Sequence, residues 1–185
     1  MEYAKTLSKE KTLSKEKSLN GWEVPEDGWI KLNVDIAVFE NASALAVVAR
    51  NENGEVLKVW AKRHEWCSPM QAEVAAVYWA IQLAQKEKWQ HIIIEEGDAK
   101  SCFDPLTTSE LQPNRSIATI ISNILDLRKF FLKCNFSWVR RCCNTAAHEA
   151  AKYAIRFCRA FCFNMYSLPV AIADACKADN LCFAC

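Results

Sequence analysis

Residues 31–38 alternate between apolar side chains and polar or small ones, the pattern of a β-strand whose two faces differ. Leu32 and Val34 belong to the apolar face, whereas Asn33 and Asp35 belong to the opposite face. A period of two residues places alternate side chains on the same side of a sheet. The pattern therefore predicts a first strand that carries Asp35 on the side away from the apolar row.

Two more segments with the composition of strands follow closely. They cover residues 43–50 and 55–62, and the residues between them include Asn53 and Gly54. An Asn-Gly pair favours the tight turn of a β-hairpin. The simplest prediction is three antiparallel strands in chain order.

The next segment has the start signals of a helix that ends near residue 87. Ser68 is a favourable N-cap residue, a proline follows at the first helical position, and Gln71 completes a capping box. Apolar residues at helical spacing then place Glu73 in the first turns. A short apolar strand is predicted at residues 91–94, and a second helix is predicted from about Asp98.

Helices and strands alternate along the following part of the chain. The periodicity predicts a helix over residues 114–132, a strand over 133–139 and a helix over 144–157. Three strands followed by such alternation predict an α/β fold with a mixed sheet of about five strands, antiparallel on one side. Parallel crossovers would extend the other side, and helices would cover the faces.

Three acidic residues lie in positions where functional sites are often built. Asp35 is within the first strand, Glu73 is near the start of a helix, and Asp98 follows the end of a strand. Carboxylates brought close together repel one another unless a cation neutralises them, and oxygen ligands suit magnesium or manganese. A two-metal phosphodiesterase site is one interpretation. The other is that these are ordinary surface acids at the ends of elements.

Four ordered motifs resemble those of a known family. They are WIKLNVD, which ends at Asp35, SPMQAEVAA, which contains Glu73, IEEGD, which ends at Asp98, and NTAAHEAA, which contains His148. In order and spacing they resemble the plant ribonuclease H-like domains found alone or at the end of LINE-type retrotransposon polyproteins. The resemblance covers about residues 23–157.

This resemblance implies a mixed five-stranded sheet with flanking helices and metal-dependent endonucleolytic cleavage of the RNA strand in an RNA–DNA hybrid. Magnesium is the implied cofactor, with manganese as an alternative. Asp35 would bridge two ions, and Glu73 and Asp98 would complete the metal cage. His148 stands where other ribonucleases H carry a fourth acid, and a histidine there could bind a metal or relay protons. Without the resemblance, His148 is more simply a hydrogen-bonded histidine at a helix start.

Some positions depart from the pattern of that family. Ile36 replaces the usual glycine after the first aspartate, and its bulk is expected to hinder the approach of a phosphate backbone. Gly97 replaces the usual hydroxyl residue in the third motif, and Cys142 and Cys143 stand where polar or small residues are common. The alternative to an active enzyme is therefore a catalytically inactive, nucleic-acid-binding remnant of a retrotransposon.

Basic charge is concentrated in one region, although the whole chain is almost neutral. The chain has 23 Lys plus Arg and 22 Asp plus Glu, a net charge of +1, which excludes a uniformly basic nucleic-acid-binding domain. Residues 128–159 nevertheless contain eight basic side chains against one acid. Arg140, Arg141 and Asn144 are the predicted nucleic-acid-binding residues, and a solvated helix face is the alternative.

The chain divides into three predicted segments. Residues 1–22 form a charged leader that contains the sequence TLSKEK twice and is expected to be disordered. Residues 23–157 form the ribonuclease H-like domain. Residues 158–185 form an apolar, cysteine-rich extension, which is either a docked helix or an unselected tail. Its terminal CxxC pair could also be a metal, redox or prenylation site, but each of these interpretations is weaker.

The environment and partners follow from composition and resemblance together. The sequence shows neither a signal peptide nor a membrane-spanning stretch, so we expect an intracellular protein of the nucleus or cytoplasm, not a secreted one, with reduced cysteines. The expected partner is nucleic acid, either an RNA–DNA hybrid or RNA, and the expected state is a monomer. A protein-interaction module that uses the apolar extension is a third alternative.

Overall fold

A mixed β-sheet forms the centre of the structure. The computed structural model describes residues 22–40, 42–97, 100–108 and 113–181, and it describes no side chains for residues 100–103. The predicted leader, apart from Trp22, and the terminal CxxC pair lie outside the described residues. The strands are β1 (Ile30–Phe39), β2 (Ala42–Arg50), β3 (Val56–His64), β4 (His91–Glu96), β5 (Lys133–Trp138) and β6 (Phe161–Phe163).

The strands lie in the order β5-β4-β1-β2-β3-β6. β1 runs parallel to β4, and β4 runs parallel to β5, whereas the pairs β1/β2, β2/β3 and β3/β6 are antiparallel. The predicted hairpin between β2 and β3 is confirmed: Gly54 has a φ of +75°, and its N–H donates to the carbonyl of Asn51 over 2.9 Å. The positive φ is the reason that this turn uses glycine.

Helices cover both faces of the sheet. They are α1 (Pro69–Lys86), α2 (Lys100–Thr107), α3 (Ala118–Arg128), α4 (Thr145–Phe157) and α5 (Val170–Asn180). α1 packs on β1, β2 and β4 and also contacts α3, whereas α4 packs on β1, β2 and β3 and contacts α5. Each of the described helices is too short or too polar to span a lipid bilayer.

The predicted α/β class and the mixed sheet are confirmed, and the strand count is corrected from about five to six. The additional strand, β6, pairs with the outer edge of β3, with Cys162 opposite Trp60. Phe161 and Phe163 pack against Tyr153 of α4, with ring centroids 5.0 Å and 6.0 Å from that of Tyr153. A strand of three residues is too short to show a period of two, so the sequence pattern could not indicate it.

The helix predicted over residues 114–132 is shorter than expected at both ends. Asn114 makes a side-chain turn instead of beginning the helix, since its Oδ1 accepts from the N–H of Ser116 over 3.0 Å. After Arg128 the chain leaves the helix in tight turns that continue to β5. Asparagine and serine compete for backbone hydrogen bonds in this way, which explains why helical periodicity overestimated the length.

Both faces of β1 are buried, which the alternating pattern did not predict. Leu32 and Val34 pack into the core beneath α1 and α3, as expected. Asn33 and Asp35, on the other face, are also buried, because β1 lies between β4 and β2 and α4 packs on that face. The polar face of the pattern therefore marks buried polar groups that need specific partners.

Candidate functional site

Asp35 and His148 come together on the α4 side of the sheet. His148 Nδ1 lies 3.0 Å from Asp35 Oδ2, although the two residues are 113 positions apart in the chain. The other carboxylate oxygen, Oδ1, accepts the N–H of Ile36 over 2.7 Å. Asp35 is only 2% exposed, whereas the His148 side chain is 28% exposed. The histidine thus links a buried carboxylate to the protein surface.

Asn144 holds the start of α4 against the strand that carries Asp35. Its Nδ2 donates to the carbonyl of Val34 over 2.8 Å, and its own carbonyl accepts the N–H of His148 over 3.2 Å. The residue is 1% exposed. The side chain of Asn144 therefore supports the Asp35–His148 contact, and its predicted contact with nucleic acid stays a prediction.

The end of β4 lies beside the same point of β1. The parallel register pairs Glu96 with Val34, so the next residue, Gly97, comes level with Asp35. A Cβ atom at Gly97 would lie 3.4 Å from the Cα of Arg141 and from Cβ and Nδ2 of Asn144, which is contact without overlap. A Cβ atom at position 97 is therefore accommodated without a clash. Asp98, the next residue, lies outside the described residues.

Glu73 is buried in the first turns of α1. The predicted helix start is confirmed, because the Ser68 hydroxyl accepts the N–H of Gln71 while the Gln71 side chain bonds back to Ser68. Glu73 is 5% exposed, and its helix packs on β1 and β2. Within the described ranges, no three His, Cys, Asp or Glu side chains are close enough to hold a metal ion together.

The chemistry of the donor set fits a divalent metal ion. Asp35 and Glu73 are buried carboxylates, and burying such a charge is costly unless a cation neutralises it. Among the described residues, His148 is the one basic side chain that pairs with Asp35, and a histidine is cationic only when protonated. A hard cation bound by the Asp35 carboxylate would supply neutralising charge at that position.

Ile36 does not cover the Asp35 carboxylate. Its side chain belongs to the core cluster that contains Leu32 and Val34, on the α1 side of the sheet. The carboxylate of Asp35 lies on the opposite side, where it meets α4. The alternation of the strand therefore turns Ile36 away from the Asp35 carboxylate, and its expected effect on the approach of a phosphate backbone stays a prediction.

The two predicted arginines lie at the rim of the site. Arg140 and Arg141 follow β5, and Arg141 begins a single 3-10 turn that leads into Asn144. Arg141 is exposed and Arg140 is half-buried. Lys152, another basic residue of the region, pairs with Glu149 over 2.7 Å. The backbone of Arg141 thus lies against Gly97, with Arg140 next to it in the chain.

An open groove runs along α4 beside His148. It has a volume of about 420 Å³, and its lining includes Phe39 of β1 and Lys152, Tyr153 and Arg156 of α4. Residues 148, 152 and 156 are spaced by four and lie along one side of the helix. The groove therefore combines the exposed ring of Phe39 with basic side chains and with Glu149, which pairs with Lys152.

Sequence reasoning missed a buried ion pair beneath the start of α4. Arg50 Nη2 lies 2.7 Å from Asp179 Oδ2, and both side chains are 0% exposed. Asp179 also accepts hydrogen bonds from the backbone N–H and the hydroxyl of Thr145. An arginine at the end of the apolar run in β2 is a weak signal of such a pair, and Asp179 has no signal in its own segment.

The chain matches one family along most of its length. The profile of the reverse transcriptase-like family matches residues 33–154, the segment that contains most of β1, β2 to β5 and most of α4. No curated protein matches the chain significantly. The matched segment ends before β6 and α5, and both of these elements belong to the extension, residues 158–185.

Solved structures of ribonucleases H are similar to this chain in fold. RNase H1 from the halophilic archaeon Halobacterium salinarum has a TM-score of 0.65 at 18% identity, covering 70% of this chain and 98% of that chain. The N-terminal RNase H domain of a Mycobacterium tuberculosis protein has a TM-score of 0.63 at 16% identity, covering 70% of this chain and 94% of that chain. LC11-RNase H1 was isolated from compost and solved with an RNA/DNA hybrid. It has a TM-score of 0.62 at 15% identity, covering 70% of this chain and 98% of that chain.

Proposed function

Because the chain belongs to the reverse transcriptase-like family and has a ribonuclease H-like fold, we propose that it hydrolyses the RNA strand of RNA–DNA hybrids with divalent metal ions. The observation that carries this proposal is the buried carboxylate of Asp35 in contact with His148. One of the similar structures, LC11-RNase H1, is a complex with an RNA/DNA hybrid, which supports the choice of substrate.

Asp35, Glu73 and Asp98 would hold the metal ions. When bound, two such ions would stabilise the attacking and the leaving oxygen of a phosphodiester. The buried position of Asp35 and Glu73 supports this assignment, because their charges then act in a medium that screens them little. Magnesium is the proposed ion, and manganese is the alternative.

His148 would move protons at the surface of the site. An ionised carboxylate only accepts hydrogen bonds, so Nδ1 of His148 must carry the hydrogen that faces Asp35 Oδ2. The second ring nitrogen, Nε2, is then free to accept a proton in the neutral ring or to donate one in the charged ring. The partial exposure of His148 supports this exchange with water or a leaving group.

The proposal is tested by incubating the purified full chain with a labelled RNA–DNA hybrid. We expect cleavage of the RNA strand in magnesium or manganese, none with chelator, and none of a double-stranded DNA of the same sequence. Recovery of cleavage when magnesium is restored after chelation controls for loss of the fold. Absence of cleavage by folded protein in both metals contradicts the proposal.

An inactive nucleic-acid-binding domain is the second candidate, and the glycine at position 97 favours it because the usual hydroxyl residue is absent. This candidate predicts binding to the hybrid without cleavage in either metal. The cleavage assay and a binding titration on the same preparation therefore separate the two functions.

Arg140 and Arg141 are proposed to contact phosphates. The double variant Arg140→Ala with Arg141→Ala is expected to weaken hybrid binding and to reduce the salt slope of log affinity by about 2, one for each lost contact. Fluorescence anisotropy at several salt concentrations measures both quantities. Lys177→Ala, which removes an exposed charge from α5, is the matched control. An unchanged slope in the double variant would remove these arginines from the interface.

A further inference from the structure

We propose that Asp179, in the segment beyond the family match, is a positioning residue that sets the contact between His148 and Asp35. The family match ends at residue 154, and Asp179 lies in α5, near its end. The inference rests on the proposed function, since it concerns the same site. It assigns the extension a role in that site, as the support of the helix that carries His148.

The first turn of α4 depends on Asp179 for its cap. The first N–H groups of a helix need acceptors, and the residue before the helix usually supplies one from its side chain. Asn144 occupies this position but makes no such bond, because its side chain is directed to β1. Asp179 accepts instead from the N–H of Thr145 over 2.7 Å, from the Thr145 hydroxyl, and from the N–H of Ala146 over 3.2 Å.

Arg50 fixes the Asp179 carboxylate from the other side. The pair is fully buried, and the Arg50 guanidinium also lies 4.5 Å from the ring centroid of Trp22. Burial raises the pKa of the nearby Cys176 thiol, so Cys176 stays neutral and leaves Asp179 as the anion for Arg50. Asp179 is thus bonded to the start of α4 on one side and to Arg50 of β2 on the other.

The cap is connected directly to His148. The imidazole is three residues beyond Thr145, in the first turn of α4 that Asp179 holds. Arg50 belongs to β2, which pairs with the strand that carries Asp35. Asp179 therefore joins the helix of the histidine to the strands of the aspartate. A shift of the first turn would move His148 relative to Asp35 and would lower turnover more than substrate binding.

Asp179→Asn tests the inference, with Asp174→Asn as its matched control. Asp174 is an exposed aspartate on the same helix, and its side chain pairs with Lys177 over 3.2 Å. We expect Asp179→Asn to lower kcat roughly 10–100-fold with KM within about twofold, and Asp174→Asn to leave both unchanged. Thr145→Val, which removes the hydroxyl contact but keeps the ion pair, is the second variant. Thr145→Val is also expected to lower kcat, and it keeps the inference testable if Asp179→Asn fails to fold.

A second readout does not depend on activity. The chain has three histidines, so the ring signals of His148 can be resolved by NMR at one fixed pH and assigned with a His148→Gln variant. We expect Asp179→Asn and Thr145→Val to shift the His148 signals while those of His64 and His91 stay in place. If the wild type cleaves nothing but the shift is seen, the proposed function fails and the positioning role survives.

The inference is overturned if Asp179→Asn and Thr145→Val lower only the melting temperature. Such variants would retain the wild-type His148 signals and the wild-type kcat in the folded state. Asp179 would then be a stabilising residue without influence on the site.

Discussion

Asp35→Asn is expected to reduce hybrid cleavage by roughly 10³-fold or more, because several kcal/mol of metal-derived stabilisation depend on this carboxylate. An amide is neutral and cannot balance the charge of divalent ions. The fold is expected to be unaffected or slightly stabilised, since the variant no longer buries a charge at a position that is 2% exposed. The amide oxygen can still accept the N–H of Ile36.

Cleavage rate and melting temperature must be measured together on this variant, in magnesium-free buffer for the latter. Asp126→Asn is the matched control, because Asp126 is an exposed acid of α3 whose contact is with Lys129. A large loss of melting temperature in Asp35→Asn, with cleavage falling only in proportion to the unfolded fraction, would show that the Asp35 carboxylate is structural.

Arg50→Met is expected to lower the free energy of unfolding by about 3–5 kcal/mol, the usual effect of removing one partner from a buried ion pair. The methionine roughly fills the space of the arginine stem but leaves the Asp179 carboxylate without its counter-ion in a fully buried position. It also removes the contact of the guanidinium with Trp22.

Urea unfolding measures this effect, and Lys58→Met is its control. Lys58 pairs with Glu87 over 2.6 Å, but both side chains are partly exposed. Loss of this ion pair is therefore expected to lower the free energy of unfolding by less than about 1 kcal/mol. Adding Asp179→Asn to Arg50→Met is expected to cost less than the sum of the single variants, because no unpaired charge remains. Equal costs for Arg50→Met and Lys58→Met would contradict a desolvated pair.

Local patterns were sufficient to predict the family part of the fold. Alternation indicated β1, an Asn-Gly pair indicated the hairpin of β2 and β3, and a capping box indicated α1, because each signal is confined to a few adjacent residues. The resemblance then named Asp35 and His148 as site residues, and the structure brings their side chains to 3.0 Å. Glu73 is buried as a site acid would be, whereas Asp98 lies outside the described residues.

Features that depend on distant partners were not predictable in this way. β6 is recognisable only by its pairing with β3, and the burial of Asn33 depends on its place in the middle of the sheet. The Asn33 amide donates to Glu95, and its oxygen accepts the N–H of the Trp22 indole. The periodicity of β1 alone could not indicate these contacts. The extension likewise has a docked helix, α5, whose role rests on an aspartate that meets a strand far away in the chain.

The ion pair of Arg50 and Asp179 also has a consequence during synthesis. The two residues are 129 positions apart, so a ribosome adding 5–20 residues per second needs roughly 6–26 s to make the aspartate after the arginine. During this interval the hairpin of β2 and β3 contains an arginine that cannot be buried with its counter-ion. The buried ion pair can therefore form only after α5 has been translated, so the sheet and the start of α4 are complete before their link to Arg50 exists.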